Sequence, residues 1–313
     1  MPKINQDQAA KIIENQVIDA LKIKFKNSNF HPIRLIQASK SLIGLNLKTP
    51  NVELLNFNSS YLKKNKDNLI EELKETEIKA NEVITTHDIE QAFINKDREL
   101  ALSMLGQLSL VSSELHILEC LIEISLKQSG KSFLCIWSLY RSIFFINKQT
   151  SKLFLALSVE IILSDKFEDL IHIDSNFIHI KNIPIESIYK NIIIYDNFSY
   201  EFLDLYSHLL EAYNSDLIRG LKIKDLIKNM ICRKLNNIEL NQFSDEHSID
   251  YPELLNSGRF WLSKFLNKTD KQKFTIDLIL FLDSIRCLFR FLDSKKHKFI
   301  CFYFQKNIKD FNV

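Results

Sequence analysis

The stretch ELHILECLIEISLKQSGKSFLCIWSLYRSIFFI, residues 114–146, sets the fold class of this chain. Its apolar residues fall in two runs with helical spacing, and the runs meet at Gly130. Ser112 or Ser113 offers an N-cap before the first run, and Gly130 lies where a left-handed C-terminal cap is expected. The connection is short, so we predict two antiparallel helices packed as a hairpin.

The second run contains the most apolar part of the chain, FLCIWSLYRSIFFI, residues 133–146. It is shorter than the roughly 20 residues that a membrane span requires, and Arg141 interrupts it. We therefore predict a central buried helix, because so apolar a segment would otherwise expose a large hydrophobic patch. Together with the following run, it predicts these buried side chains: Phe133, Ile136, Trp137, Tyr140, Phe144, Leu153 and Leu157.

Composition extends the helical prediction to the whole chain. The 313 residues include only 5 glycines and 5 prolines, where average usage would give roughly 22 and roughly 16. Sheets and tight hairpins use glycine, whereas helix interiors avoid both residues. Apolar runs of helical spacing recur at 95–111, 151–164, 200–213 and 271–293. We predict an all-α protein, built as a multi-helix antiparallel hairpin array or bundle.

Two features divide this helical pattern. A helical segment at 4–25, a second helix starting at Pro32 and an irregular stretch at 46–67 are predicted to form a small N-terminal region with a polar linker, residues 1–85. Residues 86–313 are predicted to form the main α-helical domain. Within it, DLIHIDSNFIHIK alternates about a two-residue turn and predicts a small β-hairpin insertion near 170–181.

Charge and cysteine usage limit the class of protein. The chain has 41 basic and 39 acidic residues, a balance that does not indicate a protein that coats nucleic acid. Its 5 cysteines stand mostly in apolar runs and form no C-x-x-C motif, which is typical of reduced, buried thiols. The polar N-terminus lacks the apolar core of a secretory signal, so we expect a cytoplasmic protein without a transmembrane segment.

The sequence contains no glycine-rich nucleotide-binding loop, no G-x-S-x-G nucleophile elbow and no H-E-x-x-H motif. Whether the protein is an enzyme is left open, and no catalytic residue is assigned. One spacing suggests metal chemistry: His116 precedes Glu119 by three residues, and His208 precedes Glu211 in the same way. Residues three apart share one face of a helix and can bind one ion.

Two helices carrying such pairs could hold a divalent transition metal, Fe, Mn or Zn, through imidazole and carboxylate. The order is the reverse of the Glu-before-His order of di-iron helix bundles. The other interpretation is local, with each histidine pairing with its glutamate or capping a helix end. We favour the local interpretation. The preferred prediction is therefore that no cofactor is bound, and a bound metal is the alternative.

A basic segment between residues 219 and 235 predicts a partner-binding surface. Its apolar side would face the core and its cations would face solvent, where they could bind an acidic protein or another anionic surface. The alternative is that the lysines merely solvate the outside of a core helix. The partner-binding residues are predicted to be Arg219, Lys222, Lys224, Lys228, Arg233 and Lys234.

Two functional hypotheses result from these patterns. The first is a non-catalytic interaction or scaffold protein that binds a macromolecular partner through a helical face. The second is a helical metalloprotein, for example an oxidoreductase, that uses the His-x-x-Glu pairs.

Overall fold

The structure, a computed structural model, describes residues 4–26, 31–65, 69–70, 83–145, 150–168, 184–235, 238–243 and 248–311. Within these ranges the chain is α-helical, and extended pairing is limited to isolated bridges such as Ile23 with Leu69. The predicted all-α class is therefore confirmed. The β-hairpin predicted near 170–181 lies outside the described residues.

The helices follow one another along the chain, several of them with short connections. In chain order they are α1 (Gln6–Leu21), α2 (Pro32–Ile43), α3 (Val52–Lys64), α4 (Thr86–Ile94), α5 (Arg98–Val111), α6 (Glu114–Ser125), α7 (Lys131–Ser142), α8 (Ser151–Ser164), α9 (Ile185–Ile192), α10 (Tyr200–Tyr213), α11 (Gly220–Leu235), α12 (Pro252–Ser257), α13 (Trp261–Lys268), α14 (Ile276–Phe291) and α15 (His297–Ile308).

Side-chain caps explain where several helices begin. Thr85 and Asp88 form a reciprocal capping box at the start of α4. The Ser113 hydroxyl accepts a hydrogen bond from the amide of His116, which confirms the predicted start of α6. Pro32 occupies the first turn of α2, as predicted, where its missing N–H removes no helical hydrogen bond.

The prediction of an irregular stretch at 46–67 is wrong. Residues 52–64 form α3, which begins after an Asn51 cap and packs against α1 and α2. Leu54, Leu55 and Leu62 supply its buried face. Polar residues on the remaining surface hide this narrow apolar stripe in the sequence, because a helix needs only one apolar face to dock.

Gly130 has the positive φ expected of it, 103°, but in a different role. Helix α6 already ends at Ser125, and Gly130 is the residue before α7. A Cβ atom at this position would lie 3.0 Å from the side chain of Leu205 on α10. Glycine is therefore needed both for the backbone conformation and for the close approach of α10.

Four helices, α2, α7, α10 and α14, form the centre of the molecule. Helix α14 packs against α2 and α10, and α7 packs against α2 and α10 as well as α6 and α8. One continuous hydrophobic cluster includes residues on both sides of Thr85, for example Ile36 and Leu282. The division into regions 1–85 and 86–313 stays a prediction.

The predicted core helix is largely confirmed at α7. Phe133, Ile136 and Trp137 are buried there, and so is Leu157 on α8. Tyr140 and Leu153 are only half-buried. Phe144 was expected to be buried but is 88% exposed. Helix α7 ends at Ser142 and the chain tightens into a single 3₁₀ turn, so the helical periodicity that would place Phe144 inside no longer applies.

Two further expectations concern membrane-spanning helices and the cysteine thiols. Among the residues that the structure describes, no helix combines the length and apolarity that crossing a bilayer requires. The cysteines are all buried and unpaired, as the sequence predicts; they are Cys120, Cys135, Cys232, Cys287 and Cys301.

Candidate functional site

Charged side chains from the four central helices meet inside the molecule. Residues 204, 208 and 211 project from one face of α10 because they are spaced by four and three positions. The charged side chains that meet here are all buried except Arg141, which is half-buried. This central ionic cluster consists of Arg34 from α2, Arg141 from α7, Asp204, His208 and Glu211 from α10, and Asp283 and Arg286 from α14.

One half of the cluster is organised by Asp204. Its Oδ2 atom forms an ion pair with Arg34, which joins α10 to α2. Its Oδ1 atom lies 3.3 Å from His208 Nε2 and accepts a hydrogen bond of 3.1 Å from the Ser284 hydroxyl on α14. Three helices are therefore connected through a single buried carboxylate.

The other half is organised by Glu211. Its Oε2 atom accepts a hydrogen bond of 3.0 Å from Trp137 Nε1 and lies 2.9 Å from Arg141. Its Oε1 atom lies 3.4 Å from Arg286, which also pairs with Asp283. Both oxygens of this carboxylate are thus engaged by donors from neighbouring helices.

The charges of the cluster are mutually dependent. Three arginines face three carboxylates, so a proton on His208 adds one positive charge to a balanced set. Burial lowers the pKa of His208, but the neighbouring Asp204 and Glu211 outweigh it and raise the pKa above 6.5. Burial alone would raise the pKa of Asp204, yet Arg34 and His208 hold it well below its usual range.

The predicted ligands His208 and Glu211 lie together, and the structure adds Cys287 from α14. Possible ligand atoms of these three residues lie within 4.8 Å of one another. Bringing a metal here would require Glu211 to release arginine donors. It would also require Cys287 to lose its proton, although the thiol donates to the Ser207 carbonyl at 2.9 Å and burial raises its pKa strongly.

The other two predicted ligands occupy α6. His116 is half-buried in the first turn, and Glu119 is buried. The two oxygens of Glu119 accept hydrogen bonds from the amides of Ile218 at 3.1 Å and Arg219 at 2.8 Å, so this carboxylate caps the start of α11. Among the described residues, His116 and Glu119 do not join the group formed around His208.

The sequence-based prediction did not include Arg34, Arg141, Asp204, Asp283 and Arg286 as site residues. A signal was present, because Arg141 interrupts an apolar run and LILFLDSIRCLF places Asp283 and Arg286 inside another. Charged residues are rarely buried without partners, so charges inside apolar helices indicate a buried ionic cluster.

The predicted basic residues divide along α11. Near its start, Arg219 pairs with Glu123 and donates to the Thr86 hydroxyl at 3.1 Å. Lys222 lies 2.9 Å from the other oxygen of Glu123, and it is exposed. Lys224 stacks over the Tyr213 ring at 4.8 Å. Lys222 and Lys224 thus contact different neighbouring helices, Lys222 through Glu123 of α6 and Lys224 through Tyr213 of α10.

The basic residues at the end of α11 contact other parts of the protein. Arg233 is buried, lies 3.0 Å from a Glu168 oxygen and donates to the Leu126 carbonyl. Lys234 lies 3.1 Å from the second oxygen of Glu168. These two cations attach the helix to its neighbours, whereas Lys228 is half-buried midway along the helix.

Large apolar side chains stand beside the cations at the start of α11. Leu221 is 87% exposed and Ile218 is 73% exposed.

Comparison of the chain with protein-family models, with curated proteins and with solved structures finds no match.

Proposed function

We propose that the protein is a non-catalytic interaction protein whose partner is an acidic protein segment with apolar side chains. The contact surface, which we call the α11 surface, consists of Ile218, Leu221, Lys222, Lys224 and Lys228. The observation that carries the proposal is the exposure of Leu221 and Ile218, 87% and 73%, among basic residues. Covering a leucine of this exposure contributes roughly 1.5–3 kcal/mol.

Helical spacing aligns three residues of this surface. Leu221, Lys224 and Lys228 are three and four positions apart, so they project from one face of α11. Arg219 and Lys222 both contact Glu123, so two cations share one carboxylate. An acidic partner would supply the further negative charge, and its apolar residues would cover Leu221 and Ile218.

The experiment is site-specific photo-crosslinking in native lysate. A photoreactive residue replaces Leu221, and the captured peptides are identified by mass spectrometry. We expect acidic segments with apolar residues, captured less as ionic strength rises because salt screens exposed charges. Capture of nucleic acid or lipid instead, or of peptides without acidic character, would refute the proposed partner.

Charge-reversal variants make the test specific. Lys222→Glu, Lys224→Glu and Lys228→Glu together should abolish the crosslink. The matched control reverses Lys63, Lys64 and Lys268, three lysines exposed elsewhere, and should leave the crosslink intact. Equal loss in both triple variants would show an effect of net charge rather than of the α11 surface.

A second candidate function, metal binding, is favoured by the approach of His208, Glu211 and Cys287 to within 4.8 Å. Iron, manganese or zinc would be the ion. Elemental analysis of the natively purified protein tests it. Cys287→Ser should remove a stoichiometric metal. The control variant Cys301→Ser, which changes a buried cysteine on α15, should retain it. A metal-free wild-type protein that also takes up none of the three ions would exclude this function.

The proposal includes the cytoplasm as the compartment. Five buried, unpaired cysteines support it, because reducing compartments keep thiols free.

A further inference from the structure

A pocket of about 260 Å³ lies where three of the central helices begin. Its rim includes Lys131 at the start of α7, Tyr200 at the start of α10 and Asp277 in the first turn of α14. Its walls are mostly apolar and include Leu134, Leu205, Leu280 and Phe281. The volume lies below the roughly 300–1,000 Å³ of pockets for drug-sized ligands, so the pocket fits a small molecule.

The charged groups that line the pocket are segregated by element. Basic groups come from α2, α7 and α11, and acidic groups come from α10 and α14, which pack against each other. The lining charges are Arg34, Lys131 and Lys234 against Glu201, Asp204 and Asp277. The two signs balance, so the pocket favours a ligand that is neutral overall and carries both charges.

Several of these charges already have partners. Arg34 pairs with Asp204, Lys234 pairs with Glu168, and Asp277 accepts a hydrogen bond from the Tyr200 hydroxyl at 3.3 Å. Lys131 and Glu201 are exposed at the rim, and neither has an ion-pair partner among the described residues. A ligand would therefore meet one cation, Lys131, and two carboxylates, Glu201 and the hydrogen-bonded Asp277, that have no ion-pair partner among the described residues.

We propose that this pocket binds a small zwitterion with an apolar side chain, namely an apolar α-amino acid or a short apolar peptide. The ligand carboxylate pairs with Lys131 and the ligand ammonium pairs with Glu201. The side chain packs against Leu134, Leu280 and Phe281. A ligand with a single charge would leave the opposite rim charge partly desolvated and unpaired, which is unfavourable. The site is separate from the α11 surface and does not depend on it.

Calorimetric titration with L-leucine tests the proposal. The matched ligands are 4-methylpentanoate, which lacks the ammonium group, 3-methylbutylamine, which lacks the carboxylate, and glycine, which lacks the side chain. We expect saturable binding of leucine and at least about tenfold weaker binding of each of the others. No binding of leucine or of the dipeptide Leu-Leu, or equal binding of a singly charged analogue, would overturn the proposal.

Variants assign the contacts. Lys131→Gln should weaken leucine and 4-methylpentanoate but not the amine, and Glu201→Gln should weaken leucine and the amine but not the acid. Lys268→Gln and Glu253→Gln, at exposed positions on α13 and α12, serve as controls. Leu134→Trp should fill the pocket and abolish binding, with circular dichroism reporting its fold. If that variant does not fold, the two charge variants decide. Tighter binding of Leu-Leu than of leucine would identify a peptide as the ligand.

Discussion

His31 joins the end of the α1 region, residues 23–25, to the start of α2 through one neutral ring. Its Nδ1 atom accepts a hydrogen bond from the Ile33 amide at 3.2 Å, and its Nε2 atom lies 3.1 Å from the Ile23 carbonyl oxygen. The ring also stacks on Phe25. Only the neutral tautomer with its proton on Nε2 satisfies both contacts. Burial, partly opposed by the contact with Ile23, lowers the pKa of His31 to about 4.

This shift predicts a loss of stability in acid. The unfolded chain binds a proton near pH 6.5 and the folded protein only near pH 4, so the stabilisation is complete above pH 6.5 and is lost as pH falls towards 4. The contribution is about 3 kcal/mol. Measured by denaturant unfolding between pH 7 and pH 4, the free energy of unfolding of His31→Asn should lack this slope with pH. The exposed variant His87→Asn should keep it, and an unchanged slope in His31→Asn would contradict the assignment.

Gly130→Ala should destabilise the protein, because the residue has a φ of 103° and an added Cβ atom would lie 3.0 Å from the Leu205 side chain. Strain from the positive φ costs about 1–2 kcal/mol, and displacement of Leu205 adds to it. Gly220→Ala is the matched control, since its nearest neighbour would lie 3.9 Å away and its φ is ordinary. Thermal unfolding should show a lower midpoint for the first variant only. Equal midpoints would mean that the turn before α7 tolerates a side chain.

Features determined by a residue and its immediate neighbours were predictable from the sequence. The Ser113 cap, Pro32 in a first turn and the positive φ of Gly130 all depend on local chemistry. The exposure of Phe144 was not predictable, because it depends on α7 ending at Ser142 rather than continuing.

At the level of helices, α10 and α14 are held to α2 and α7 by buried charges rather than by apolar contacts alone. Burial raises the pKa of Glu211, but Arg141, His208 and Arg286 hold it well below its usual range. The carboxylate is therefore ionised at neutral pH. Removing one partner of such a buried set leaves uncompensated charge in the interior.

Glu211→Gln should accordingly cost about 3–5 kcal/mol at neutral pH. The matched control is Glu14→Gln, which makes the same chemical change in an exposed pair with Lys11 on α1. Loss of that pair should cost less than about 1 kcal/mol. Urea unfolding of both variants measures the difference. Similar small losses would show that Arg141 and Arg286 find other acceptors.

The sequence placed His208 and Glu211 on one helical face, because their spacing is a property of α10 alone. It did not identify Cys287 or the arginines as their neighbours. Those contacts depend on which face of α14 and α7 meets α10, and that choice is made by tertiary packing.

For the molecule as a whole, the core extends across Thr85, where the sequence predicted a boundary. Helix α2 contacts both α7 and α14, and its Arg34 neutralises Asp204. Low glycine and proline content predicted the helical class, and the apolar run at 133–146 predicted α7 as a central helix, but the sequence did not show which helices pack against it. Amphipathic spacing identifies a buried face without identifying its partner.

A fragment containing only residues 86–313 should therefore fail to fold natively. It would lack α2, so Asp204 would be buried without Arg34, and the apolar faces of α7 and α14 would be exposed. We expect a fragment that aggregates or lacks dispersed amide signals in NMR spectra. A fragment with native-like dispersion and cooperative unfolding would establish 86–313 as an independent domain.

The five buried thiols also make local opening of the helices measurable. One stands on each of α6, α7, α11, α14 and α15. Burial raises the pKa of Cys135 and of Cys301 to about 12, so these thiols react with an alkylating reagent only when their helices transiently open. Peptide mass mapping after timed alkylation would then rank the five helices by the frequency of their local opening, with no engineered label.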